Sequence, residues 1–374
     1  MLPTRDRLLL GPGPSPVSPR VLAALSAPPR SHLDGDLVGI LDDIRARLAR
    51  VFRAPDGALT LAVSGTGTSG METIVANLTE PGRRALVIVT GYFGERLATI
   101  LGRYGATVDR LDVEWGRAVD PAAVARRLDE RPADIVAVVH AETSTGVLNP
   151  VAEIGHLARQ REALTIVDAV TSLGAMPLDM AAWEIDACYS CSQKGLGAPS
   201  GLAPIVLSAR ARGRLVACRS FYFDLGLLED YWVRRKYHHT ISAPLIYALD
   251  TALEEVEEEG LVERWARHER VHRALAAALD ASGLSFLPAP PDRLWSLNAI
   301  RVPAGIDEAA VRSQLLRDDA IEVGAGLGPL AGRIWRVGLM GSGATEANVS
   351  RLMNALPKAI TNARLPQAIP RGSS

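Results

Sequence analysis

Short apolar runs rich in β-branched residues recur through the first two thirds of the chain: Ala58–Val63, Ala85–Thr90, Asp134–His140, Leu164–Val170, Ile185–Ser190 and Pro204–Ser208. Between them lie stretches with helical spacing of apolar positions, among them Ser69–Leu78, Phe93–Tyr104, Pro121–Leu128 and Val151–Arg159. Runs with no polar alternation are the mark of strands buried on both faces, so the alternation with helices predicts an α/β fold around a mostly parallel sheet. The pattern changes near Thr240. Leu245–Glu259 reads as a helix closed by Gly260, and a second long helix runs from Leu261 to about Ser282. After Pro288-Ala289-Pro290-Pro291 come strand-like Ser296–Val302, helical Asp307–Arg317, strand-like Ile321–Val323 and Arg333–Leu339, and a last helix near Thr345–Ile360. That succession predicts a smaller α+β domain.

The 374 residues exceed what one hydrophobic core comfortably organises. The expected division is an extended arm over residues 1–20, a large domain over 21–259, a small one over 260–363 and a frayed tail over 364–374. The prolines and glycines of Gly11-Pro12-Gly13-Pro14-Ser15-Pro16 exclude helix there. Hydrophobic residues make up 48% and the net charge is −1, which argues against a general electrostatic nucleic-acid binder. No apolar stretch approaches membrane-spanning length, and no secretory signal is seen in Met1–Pro14, so a soluble cytoplasmic protein is expected. Cys188, Cys191 and Cys218 are too few for a disulfide framework, and Cys188 and Cys191 lack the second pair a metal site would need.

Charge composition changes the picture more sharply when it is divided by type. The cationic residues are 38 arginines and only three lysines, Lys194, Lys236 and Lys358. A lysine kept in that background invites a role only an amine can fill, since it can lose its proton when buried and form Schiff bases. Lys236 sits in a charge run and Lys358 on the last helix. Lys194 alone follows an apolar run and precedes a glycine-rich loop.

Two further features fall at predicted strand ends, where α/β sheets bind ligands. Ser64-Gly65-Thr66-Gly67-Thr68-Ser69-Gly70 links a strand to a helix and offers hydroxyls, close backbone approach and free N–H groups to an anion. It is equally readable as an ordinary capped turn. Asp168 ends the Leu164–Asp168 run, where a carboxylate needs a cationic or hydrogen-bonding partner. One ligand would satisfy anion cradle, acidic strand end and lysine together: pyridoxal 5′-phosphate, with its phosphate, ring nitrogen and aldehyde.

The chain resembles the class V aminotransferases of fold type I, of the alanine–glyoxylate and serine–pyruvate kind. The resemblance rests on LLLGPGPS at Leu8–Ser15, SGTGT at Ser64–Thr68, ETSTGVL at Glu142–Leu148, Val167–Asp168, SQK at Ser192–Lys194, YHHT at Tyr237–Thr240 and GLGPLAGRIWRVGL at Gly326–Leu339. It implies that Lys194 holds the cofactor as a Schiff base and then moves a proton, while Asp168 pairs with the ring nitrogen. Thr66, Gly67, Thr68 and Gln193 would cradle the phosphate, although relatives often carry histidine where Thr68 stands. Phe93 would lie on the ring, where relatives often have tryptophan, and Ser144 or its neighbour Thr143 would bond near the ring hydroxyl. Tyr237 and Thr240 would reach the phosphate of the other subunit of a homodimer. Arg336 would grip the substrate carboxylate, and Gly13 with its arm would close the pocket; no metal is implied.

The resulting expectation is a transaminase moving an amino group from alanine or serine to glyoxylate or pyruvate. Three rivals stand beside it. Ureidoglycine–glyoxylate transamination is favoured by Leu228-Glu229-Asp230-Tyr231-Trp232 and Gly328–Arg336, but that branch tends to carry Asn at Tyr237 and Gln at His32. Cysteine desulfuration would need a reactive cysteine in the C-terminal third and typically has His before the lysine, where Gln193 stands. A non-catalytic binding protein would be expected to have lost part of the Lys194, Asp168 and Arg336 set. Borohydride reduction of the cofactor-loaded protein followed by peptide mapping should place the label on Lys194. Recovery on Lys236 or Lys358 would refute that assignment, and Lys194→Ala should abolish the visible absorption band in a protein that still folds.

Overall fold

The computed structural model describes residues 6–365. The expected frayed tail therefore falls mostly outside the described residues, as do the first five positions of the arm. All six apolar runs form strands of one seven-stranded sheet: β1 (Leu59–Gly65), β2 (Arg84–Val89), β4 (Ile135–Val139), β5 (Leu164–Asp168), β6 (Ala187–Tyr189) and β7 (Gly201–Leu207), joined by β3 (Thr107–Asp112). The order is β1-β7-β6-β5-β4-β2-β3, parallel throughout except for β7, which is antiparallel to both neighbours. β4 and β5 are buried along their whole length, which is why they carry no polar alternation. β3 escaped the search for apolar runs because it is an edge strand. It is half exposed, and Asp109, Arg110 and Asp112 interrupt its apolar positions.

The helix Gly35–Val51 was also not anticipated, although its signals stand in the sequence. Asp34 caps it by accepting from Asp36 N at 2.9 Å, and Leu37, Leu41, Ile44, Leu48 and Val51 face the core at helical spacing. The helix lies against Ala243–Glu259, where Arg47 meets Asp250 at 2.9 Å. One large apolar cluster runs through these elements from Val21 to Val256.

A second cluster gathers the helices Leu261–Ala281, Glu308–Asp319 and Glu346–Asn362 on a three-stranded antiparallel sheet, β8 (Leu297–Arg301), β10 (Ile334–Gly338) and β9 (Gly324–Ala325) in that order. Leu10 of the arm belongs to this cluster. The arm is extended, as its prolines require. Leu8–Leu9 pairs in parallel with Ile321–Glu322, and Gly338 N donates to Leu10 O at 2.8 Å. Among the described residues no helix is long and apolar enough to cross a membrane.

Gly338 is the point where the arm crosses β10. A Cβ there would run into the carbonyl oxygen of Gly11 and stand 2.7 Å from Met340 Cε. Because a backbone carbonyl cannot swing aside as a flexible side chain can, Gly338→Ala should cost about 1–3 kcal/mol. A thermal melt lowered by several degrees, with earlier proteolysis in the arm, is the expected result. An unchanged melt would show that the arm is not held at this crossing.

Candidate active site

The parallel strands end around a cavity of about 250 Å³. Each side chain reaches it from a different turn beyond a strand. Thr66, Gly67 and Thr68 come from the turn after β1 and the start of the Gly67–Leu78 helix, and Phe93 from the helix after β2. Thr143 lies beyond β4, Asp168 ends β5, and Gln193 with Lys194 follows β6. Lys236 and Lys358 are elsewhere on the chain and do not line the cavity.

Thr66 occupies the N-cap position of the Gly67–Leu78 helix but makes no side-chain bond to it, leaving first-turn N–H groups for another acceptor. Gly67 has no room for a side chain, since a Cβ would stand 2.7 Å from Val170 Cγ2. Gln193 Oε1 is buried without a hydrogen-bond partner, although its residue faces the cavity.

Asp168 is buried, and its carboxylate accepts from Val170 N at 2.8 Å and from the Tyr189 hydroxyl at 2.9 Å. Burial outweighs both donors and raises its pKa to about 7, with the neighbouring charge of Glu142 adding to the rise. Burial likewise lowers the pKa of the Lys194 amine, and the positive charge of Arg336 assists. The Lys194 ammonium donates to the Pro12 carbonyl of the arm. At the next residue, Gly13, a Cβ would stand 2.6 Å from Lys194 Cε, and its φ of +116° is a conformation that favours glycine. The arm thus passes directly over the lysine.

Arg336, on β10, lies outside the cavity lining but reaches its wall. Its Nε donates to Ala325 O at 2.6 Å, and Nη1 to the carbonyl of Thr143 at 3.5 Å. Burial lowers its pKa to about 10, against the pull of Glu142. Both bonds go to backbone carbonyls, so the charge remains available for an entering carboxylate.

Thr143 and Ser144 separate clearly. Thr143 lines the cavity, whereas Ser144 stands behind the wall with its hydroxyl donating to Glu142 Oε1 at 2.5 Å. Tyr237, 62% exposed, and Thr240, also exposed, do not line this chain's cavity. Cys188, on β6, and Cys191, just beyond it, are buried free thiols.

Several residues were missed by reading the sequence. Arg96 lines the cavity, donates to Thr68 Oγ1 at 3.0 Å and lies over the Phe93 ring at 5.0 Å. Among 38 arginines only its place one turn after Phe93 could have marked it. Tyr189 was detectable only through register, because β6 sets it opposite Asp168. Glu142 was visible within a motif but had no role attached. Together the residues form a site with an anion cradle, an aromatic wall, a carboxyl whose pKa burial raises and an amine whose pKa burial lowers.

The model of the family "Aminotransferase class-V" matches residues 11–337. The alanine–glyoxylate aminotransferase of Oryctolagus cuniculus is 38% identical over 366 residues, covering 96% of this chain and 93% of that one. The (S)-ureidoglycine–glyoxylate transaminase of Bacillus subtilis is 36% identical over 366 residues, covering 92% and 88%. The crystal structure of an alanine–glyoxylate aminotransferase from Nostoc sp. superposes with a TM-score of 0.94 at 43% identity, covering 96% of each chain.

The raised pKa of Asp168 has a stability consequence in the cofactor-free protein. Between about pH 4 and 7 the folded state holds a proton that the unfolded chain, with its value near 3.8, has already released. Stability attributable to this group therefore falls as pH rises through that window. Asp168→Asn should flatten the fall, so its apoprotein melts higher than wild type at pH 8 and not at pH 4. Parallel melting profiles for the two proteins would contradict the assignment.

Proposed function

From the premise that this chain belongs to the class V aminotransferases, which work with pyridoxal 5′-phosphate, we propose that it moves an amino group from alanine or serine to glyoxylate or pyruvate. The observation that carries the proposal is one cavity holding the buried Lys194 amine and the buried Asp168 carboxyl, with the Arg336 guanidinium behind its Thr143 wall. The residues present fit the cofactor. The uncapped start of the Gly67–Leu78 helix and the tight Gly67 suit a phosphate, and Gln193 lies in the same lining.

When bound, the cofactor supplies an electron-accepting ring and an aldehyde. In our reading Thr66, Gly67, Thr68 and Gln193 hold its phosphate, and Phe93 lies against the ring. Thr143, rather than the occupied Ser144, bonds near the ring hydroxyl. Asp168 faces the ring nitrogen. A carboxyl that burial brings near neutrality becomes a firm anion once a cation is placed beside it, so Asp168 keeps that nitrogen protonated. Lys194 would hold the cofactor at its aldehyde and, once the substrate amine takes its place there, would hold and deliver the proton at the substrate Cα. Its lowered pKa makes the amine a readier base than an exposed lysine. Arg336 fixes the α-carboxylate with its planar fork, and the arm at Gly13 keeps water from the amine. Donor and acceptor use the same site in turn.

We also propose a homodimer in which Tyr237 and Thr240 serve the other subunit's phosphate. Their exposure supports it, together with that of Phe221 at 73% and Tyr222 at 40%. The two apolar clusters support the division into arm, large and small domains. A second reading, ureidoglycine as donor, is favoured by the Bacillus subtilis relative. The first is preferred because His32 and Tyr237 form a ring pair at 5.1 Å, where the ureidoglycine branch tends to carry Gln and Asn.

Stopped-flow half-reactions with alanine, serine, glutamate and (S)-ureidoglycine test these readings together. Alanine or serine should react fastest and glutamate poorly, because Arg96, the other guanidinium at the cavity, is engaged with Thr68 and Phe93. Arg336→Lys keeps the charge but loses the two-pronged grip. A loss of roughly 1.5–3 kcal/mol corresponds to about a ten- to hundredfold fall in kcat/KM in both half-reactions. A preference for glutamate, or unchanged kinetics in Arg336→Lys, would refute this account of the pocket.

A further inference from the structure

Glu142 is fully buried, and nothing in the chemistry above uses it. A carboxylate is costly to bury unless its oxygens find donors, and these find four. Oε2 accepts from Phe93 N at 3.2 Å and Gly94 N at 3.1 Å, while Oε1 accepts from Ser144 N at 3.1 Å and the Ser144 hydroxyl at 2.5 Å. Ser144 Oγ in turn accepts from Tyr92 N at 2.9 Å. The pair therefore satisfies Tyr92, Phe93 and Gly94, the opening N–H groups of the Tyr92–Arg103 helix. No side chain caps that helix locally, because its N-cap residue is Gly91.

Ordinarily a Ser, Thr, Asn or Asp at the N-cap does this work. Here any such residue is excluded, since a Cβ on Gly91 would strike Ser144 Oγ and stand 2.6 Å from Glu142 Cγ. The cap is brought instead from a segment about fifty residues away, whose middle residue, Thr143, lines the cavity. The residue it grips, Phe93, lines the same cavity from the opposite element. A remote anionic cap adds little that a local one would not supply to the helix. What it adds is a fixed spacing between Phe93 and the Thr143 wall.

We propose that Glu142, acting with Ser144, is the positioning residue that sets the Phe93 ring at the height of the cofactor. This rests on the reading of the cavity as the cofactor site with Phe93 against the ring. Glu142 touches neither cofactor nor substrate, and its effect passes through the backbone of Phe93.

The test is a double-mutant cycle read by binding of pyridoxal 5′-phosphate to the apoprotein. Phe93→Leu removes the stacked ring and should weaken binding about five- to tenfold. Glu142→Gln keeps the shape but not the charge and should weaken it by a similar factor, with loss of the visible circular dichroism of the bound cofactor. If Glu142 acts through Phe93, the double variant should bind only about as weakly as either single one, whereas independent effects would multiply. Multiplied losses, or Glu142→Gln binding within twofold of wild type, would overturn the proposal. Unchanged binding in Phe93→Leu alone would overturn the stacking role itself and the inference with it, a failure visible before Glu142 is touched. Should Glu142→Gln fail to fold, Glu142→Asp, which shortens the reach to Phe93 N and Gly94 N, replaces it in the same cycle under the same criteria.

Discussion

Ionisable groups held out of water at the ends of parallel strands are the constraint from which the rest of this site follows. Asp168 and Lys194 are each driven toward neutrality by burial, and each has its counter-group in place: the Val170 amide and Tyr189 hydroxyl for one, the Pro12 carbonyl for the other. Glu142 and Arg336 obey the same rule with backbone partners. Such groups cannot be accommodated by side chains that wander, because a half-satisfied buried charge costs more than an apolar residue would. The strands, rigid and fully covered, supply the fixed points. The turns beyond them supply the donors.

That constraint explains which parts of the molecule could be read in advance. The central strands announce themselves because both faces are buried. The edge strand Thr107–Asp112 and the short pairing Ala141–Glu142 with Val147–Leu148 carry no such signature. Lys194 stood out through the scarcity of lysine, and Asp168 through its position at the end of an apolar run. Arg336 was legible only inside a longer motif, since arginine is common in this chain. Arg96 and Tyr189 carried weaker signals, a place one helical turn after Phe93 for one and a strand register opposite Asp168 for the other, and the register is fixed only when distant segments pair. Ser144 shows the opposite case. Its sequence position suggested a cavity contact, yet a carboxylate two residues earlier had a stronger claim on its hydroxyl.

Where the large domain meets the C-terminal elements, a small apolar cluster of Ala141, Met176, Leu294 and Leu297 is joined by polar ties beside the lysine loop. Arg264 donates to Gly174 O at 3.0 Å and Gly195 O at 2.7 Å, Arg267 to Gly341 O and Ala344 O, and both guanidiniums share Glu259. Backbone carbonyls from the loop after Asp168, the loop of Lys194 and the final strand-to-helix turn are thus fixed by two adjacent arginines of one helix. Those arginines place the lysine loop against the C-terminal sheet more firmly than apolar contact alone would, because each fork fixes direction as well as distance.

The arm that closes over Lys194 belongs to the opposite end of the chain from the elements that hold it. Ser342 donates to the carbonyl of Pro16, 326 residues earlier, and Leu8–Leu9 waits for Ile321–Glu322. A ribosome delivers these partners in the reverse of the useful order, since the arm emerges long before the segments it docks on. Until residues 321–342 have been made, the arm can hold to the lysine loop only through bonds such as Ser15 N to Gln193 O at 2.9 Å and the Ser15 hydroxyl to Lys194 O at 2.9 Å. A chain that has not reached Ser342 can therefore own a folded central sheet while its reactive amine lies under a half-anchored cover, which separates the acquisition of fold from the acquisition of a protected reaction chamber.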